Sequence, residues 1–130
     1  MKNLLRVALA LAALGMLLLG LGFAAAVPKV LNDFAIAATS LHGIGNLRAD
    51  LGGCFVALGL FTLFGLRRGH ANWLTVPLVF MVAFLLLRLI HLGVDGVSNE
   101  GLRSTAVEIV LLGLFVAARR LLRNDAPVKA

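Results

Sequence analysis

Residues 7–27, VALALAALGMLLLGLGFAAAV, run for 21 positions without a charge, an amide or a hydroxyl. At about 1.5 Å per residue the stretch makes a helix of about 31 Å, enough to cross the roughly 30 Å of hydrocarbon in a bilayer. One hundred and thirty residues are enough for one ordinary domain, but the composition is not that of a soluble one. The rest of the chain has the same character: it is 61% hydrophobic and 14% charged, with a mean hydropathy of +1.01. Soluble proteins are roughly half apolar and a quarter charged.

Three further segments reach crossing length. The expected architecture is all-α, an integral membrane four-helix bundle in a single domain, with spans at about 4–27, 45–66, 72–93 and 102–122. Loops and tails share what remains, which excludes a soluble catalytic domain. The second span borrows Arg48 and Asp50 at its start, the third carries Trp73 and Pro77 early and Arg88 and His91 late, and the fourth must bury Glu108 to reach full length. The first span has a rival reading. Lys2 and Arg6 before it, and Ala24, Ala25 and Ala26 at its end, also resemble a cleaved secretory signal, but the apolar run exceeds the roughly 7–15 residues of a signal core, so a retained helix is expected.

Positive charge sets the orientation. Lys2, Arg6, Arg67, Arg68, Arg119, Arg120, Arg123 and Lys129 fall on one side, against Lys29, Arg48 and Arg103 on the other. By the positive-inside rule both termini face the cytoplasm, as in a multi-pass protein of a cell inner membrane. The net charge of +6 is then an orientation signal with attraction to membrane lipid, and no basic stripe interleaved with aromatics suggests nucleic acid. The connection 67–71 is short enough to make the second and third helices antiparallel neighbours. The connection 28–45 is longer and mixes Val30, Leu31, Phe34 and Ile36 with Asn32 and Asp33; it reads as a short surface helix, either a plain connector or a lid.

Ionisable residues concentrate in the outer half: Asp33, Asp50, Asp95, Glu100 and Glu108 there, against Asp125 alone on the cytoplasmic side. At 100° per residue, Arg88, His91 and Asp95 share one face of the third helix within about 60°. Asn46, Asp50 and Cys54 follow at i, i+4 and i+8 on the second, with Gly53 beside them and Gly52 on the flank. Ser104 precedes Glu108 by one turn. A charge facing lipid costs roughly 2.5–3.5 kcal/mol, so these faces should converge between helices, with Glu108 as counter-ion to Arg88 and Asp50 or Asp95 taking its remaining donors. The cluster reads either as an ion network that fixes helix register or as an outward-facing polar pocket.

Other chemistry is thin. The three histidines lack ligand spacing and His70 lies on the opposite side, so no metal is expected, and one cysteine, Cys54, excludes a disulfide or a thiolate zinc site. No paired nucleophile and base, phosphate loop or dinucleotide fingerprint is present, and no cofactor is implied. Gly15, Gly20, Gly22, Gly53 and Gly59 are candidates for close helix approach.

The motif Asn46-Leu-Arg48-Ala-Asp50-Leu-Gly52-Gly53, followed by Arg88 and then Asp95-Gly96, resembles a family of small bacterial four-helix inner-membrane proteins catalogued as a domain of unknown function. The similarity covers nearly the whole chain. Leu51 departs from the aromatic that commonly precedes the glycine pair in that family. The layout is similar, more distantly, to DoxX-like four-helix proteins. The resemblance implies the architecture and the polar positions, and names no activity.

The functional expectation is a non-enzymatic binding or accessory membrane protein whose pocket, lined by Asn46, Arg48, Asp50, Arg88, His91, Asp95 and Glu108, holds a small anionic or amphipathic ligand such as a lipid headgroup or quinone. The alternatives are a membrane enzyme, an isomerase or quinone-linked redox accessory, in which His91 or Asp50 moves a proton, and a purely structural ion network. A transporter needs more scaffold than four helices unless the chain forms a homo-oligomer or joins a membrane protein partner.

Overall fold

The computed structural model describes residues 2–37 and 39–123, and is all-helical over them. Asp125 and Lys129 of the charge balance lie outside the described residues. Helix α1 covers Lys2–Ala24, α2 Pro28–Asp33, α3 Leu41–Asn46, α4 Gly53–Gly65, α5 Thr75–Val94 and α6 Asn99–Arg123. A π-helical turn, Leu47–Gly52, joins α3 to α4, so that Leu41–Gly65 is one unbroken run of 25 residues. A 3₁₀ turn, Ala71–Leu74, leads into α5.

The stops and starts have local causes. Helix α1 ends in a Schellman-type turn, with the Val27 N–H donating to Gly22 O and the Ala26 N–H to Phe23 O, which places Ala26 in the left-handed region at φ 50°. Pro28 then supplies the first residue of α2 without a lost donor. Helix α2 stops the same way at Ala35, φ 52°. Ser40 caps α3, its Oγ accepting from the Gly43 N–H at 3.1 Å, and Ser98 Oγ accepts from the Gly101 N–H at 3.0 Å in the first turn of α6. The second long helix therefore starts at Leu41, earlier than the expected 45, because Ser40 offers a cap and no residue between them breaks the helix.

Three helical runs, Lys2–Ala24, Leu41–Gly65 and Ala71–Val94, are long and apolar enough to cross a membrane. Only 28%, 22% and 17% of their most apolar stretches are buried inside the bundle, so most of the leucine and valine surface points outward. A shell of that kind is compatible with lipid. Helix α6 matches them in length at 25 residues but carries Glu100, Arg103 and Glu108 in its first half.

The tightest contact is between α1 and α4. A Cβ at Gly20 would stand 2.7 Å from Val56 N, one at Gly52 3.1 Å from Ala24 N, and one at Gly59 2.9 Å from Ala13 O. Backbones this close admit no side chain between them. Gly22 is held against Val30, whereas Gly15 and Gly53 would meet nothing within 4 Å and are not approach points.

Leu9, Leu58, Leu74, Phe115, Ala118 and Leu122 form a buried core at the end of the bundle that carries Lys2, Arg67, Arg68, Arg120 and Arg123, here called the basic end. Thr62, fully buried there, donates Oγ1 to Leu58 O at 2.7 Å. Arg119, expected to extend toward headgroups, instead donates Nε to Thr75 Oγ1 at 3.0 Å and ties α6 to the start of α5. Toward the other end, called the loop end, α5 has no buried residue beyond Met81. The bundle is closed at its basic end and open at its loop end.

Candidate functional site

Helices α5 and α6 are antiparallel neighbours joined by a short turn, so a residue one turn or two before the turn meets one similarly placed after it. Arg88, in the second turn before the end of α5, meets Glu108, in the third turn of α6. Nη2 of Arg88 donates to Glu108 Oε1 at 3.1 Å and Nε to the same oxygen at 3.4 Å. The expected counter-ion is thus in place, but not as a two-oxygen fork: both donors converge on Oε1, and Oε2 is buried without a hydrogen-bond partner among the described residues. Arg88 is 37% exposed and Glu108 14%.

The remaining helix-five polar groups form their own pair. His91 Nδ1 lies 2.7 Å from Asp95 Oδ2, one turn apart on the exposed end of α5. Asp95 is therefore committed to His91 and does not take up donors of Arg88.

Arg88, His91 and Glu108 all line a cavity of about 740 Å³ between α1, α4, α5 and α6. That volume falls within the roughly 300–1,000 Å³ of small-molecule sites. Its walls are otherwise mostly apolar. Phe23 of α1, Phe55 of α4 and Phe84 of α5 stand in line at centroid distances of 5.8 and 6.5 Å, and Phe34 meets Phe23 edge-on at 5.1 Å. Phe34 and Ile36 belong to the long connection, which is therefore part of the cavity wall and more than a plain connector. Met16 and Met81, 5% and 3% exposed, lie at the depth where the buried core begins.

Asn46, Arg48 and Asp50 are not in this cavity. All three are exposed, and their side chains make no hydrogen bond or ion pair among the described residues. The expectation that Asp50 joins Arg88 assumed α-helical spacing through residues 46–54. The π turn accommodates an extra residue there, and Gly52, not Gly53, is the position that must face α1, so Asn46, Asp50 and Gly53 turn away from the bundle. Leu51 takes the inward position and lines the cavity.

Two lining residues escaped the sequence reading. Arg103, expected as an orientation charge, and Ser104, expected as a neighbour of Glu108, line the cavity together with Val107, Glu108 and Leu111. Their i, i+1, i+4, i+5, i+8 spacing is the signature of one helix face and was available to find them. Among the described residues no three His, Cys, Asp or Glu side chains are grouped to hold a metal ion.

Comparison with family models, with curated proteins and with solved structures finds no match to this chain.

Proposed function

We propose that the chain is a multi-pass inner-membrane protein of four crossings with cytoplasmic termini, and that its loop-end cavity binds a small anionic or amphipathic molecule from the outer side without chemical turnover. The carrying observation is the Arg88–Glu108 pair set into the wall of a 740 Å³ cavity whose other walls are mainly apolar. A register lock needs only the ion pair and has no use for the apolar cleft beside it. A ligand site needs both: apolar walls for bulk and a few fixed polar groups for orientation.

The fourth crossing is supported by the length of α6 and by the pairing of Glu108, which reduces the cost of carrying that carboxylate through hydrocarbon. The sidedness is supported by the seven cations Lys2, Arg6, Arg67, Arg68, Arg119, Arg120 and Arg123 at the basic end. The likeness to the four-helix family of unknown function fits this layout and adds no activity.

Native mass spectrometry of the protein extracted from its membrane tests the proposal, with Gly15→Phe as the cavity-filling variant. Gly15 lines the cavity and its Cβ direction is open, so the ring enters the empty volume without displacing backbone. The proposal predicts a co-purifying small molecule in the wild type that is lost in Gly15→Phe while the bundle stays folded. Equal retention in both proteins, or none in the wild type, contradicts it.

A further inference from the structure

The cavity has one cation more than its acids neutralise. Arg88 is matched by Glu108, but the side chain of Arg103, on the same α6 face as Ser104 and Glu108, has no hydrogen bond or ion pair among the described residues. Nη1 of Arg88 also makes no hydrogen bond there. Guanidinium donors with no partner at the mouth of an apolar chamber match an acidic head, carboxylate or phosphate.

The chamber has a depth and a floor. Along α5 the lining runs from His91 down to Met81, ten residues or about 15 Å, half of the roughly 30 Å hydrocarbon thickness. Below it the core of Leu9, Leu58, Leu74 and Phe115 is closed. Fifteen ångströms is the depth of one leaflet. A single acyl chain entering from the loop end therefore reaches the floor near Met16 and Met81, pliable side chains that fit an irregular chain end. From these observations, and resting on the binding function proposed above, we infer that the ligand is an acidic-headed amphiphile that inserts one acyl chain, with Arg103 selecting the head.

The head must carry the selectivity. A chain that leaves lipid for this cavity exchanges one apolar surrounding for another and gains almost no hydrophobic free energy. A neutral amphiphile of the same chain is then retained no better than by the bilayer, whereas an acidic head gains charge-assisted hydrogen bonds.

Titrations of the full chain in nanodiscs of neutral phosphatidylcholine test this, with dodecanoate, dodecyl phosphate, dodecanol, docosanoate and dioleoyl phosphatidylglycerol as probes. Both acidic dodecyl probes, or phosphatidylglycerol, should bind at least about tenfold tighter than dodecanol. Arg103→Gln should remove that preference and Arg103→Lys should keep most of it. Docosanoate, too long for the floor, should bind more weakly than dodecanoate. Tighter binding of the single-chain probes assigns a free amphiphile, and tighter binding of phosphatidylglycerol assigns one chain of a membrane lipid. Dodecanol binding as tightly as the acids, or an Arg103→Gln variant with undiminished preference, overturns the inference but leaves a ligand pocket standing. Absence of binding by every probe, together with no co-purifying molecule, overturns the pocket as well.

Discussion

Replacing Arg88 by leucine strands Glu108, and the structure sets the cost. The carboxylate is 14% exposed, Oε1 loses both of its donors and Oε2 already has none. Breaking a fully buried ion pair from one side costs about 3–5 kcal/mol, while polar contacts between membrane helices average about 0.6 kcal/mol. Arg88 is 37% exposed and engages a single oxygen, which places the single-variant cost between these limits, at about 2 kcal/mol. Glu108→Leu strands the more exposed partner and should cost less, about 1 kcal/mol. The double variant removes both charges and fills the space with leucine, so it should lie within about 1 kcal/mol of wild type. The difference from additivity, about 2 kcal/mol, is the coupling between the two side chains. Unfolding by sodium dodecyl sulfate in mixed micelles measures all four proteins, with Val110→Ala, at a position 70% exposed, as the outward-facing control. Single variants as mild as that control, or a double variant as damaged as the sum of the singles, would refute the inward-facing pair.

Other outcomes follow from packing and backbone geometry. Gly20→Ala or Gly59→Ala should cost about 1–3 kcal/mol in the same assay, since each Cβ would press on the facing backbone, whereas Gly53→Ala should be tolerated because nothing stands within 4 Å. Ala26→Gly and Ala35→Gly should each stabilise the chain by up to about 1 kcal/mol, relieving a left-handed backbone that disfavours a Cβ; a loss of stability at both would contradict the two Schellman-type stops. Asp95→Asn should change stability by less than about 1 kcal/mol, because the His91–Asp95 pair is more than half exposed at both partners.

Much of the ion pairing was legible because it depends on two quantities a sequence contains, helical angle and depth. Arg88 precedes the α5–α6 turn by about two helical turns and Glu108 follows it by two to three, and hydrocarbon penalises either alone, so their meeting could be expected. The same arithmetic placed Asp50 in the cluster and failed, since it presumes uniform α-helical pitch. A π turn within Leu47–Gly52 has no signature in residue type alone, and one extra residue in the turn is enough to swing Asn46 and Asp50 out of the bundle. Choosing between Gly52 and Gly53 as the contact with α1 fails for the same reason. The asymmetry of packing, dense at the basic end and open at the loop end, was not legible either. It arises from which apolar side chains find partners: Phe115 and Leu74 do, while Leu86, Leu87 and Ile90 of α5 are each more than half exposed. Composition treats these leucines alike.

Thiol labelling from one side of the membrane probes the cavity and its opening directly. In a Cys54→Ala background, Ser104→Cys places a thiol on the cavity wall and Val110→Cys places one on the outward face of the same helix. A water-soluble, membrane-impermeant maleimide applied to intact spheroplasts should modify the thiol at position 104, dodecyl phosphate should slow this modification, and the thiol at position 110 should stay unmodified. A thiol at position 104 that is inert, or that reacts only after the membrane is permeabilised, would contradict a cavity open to the outer side.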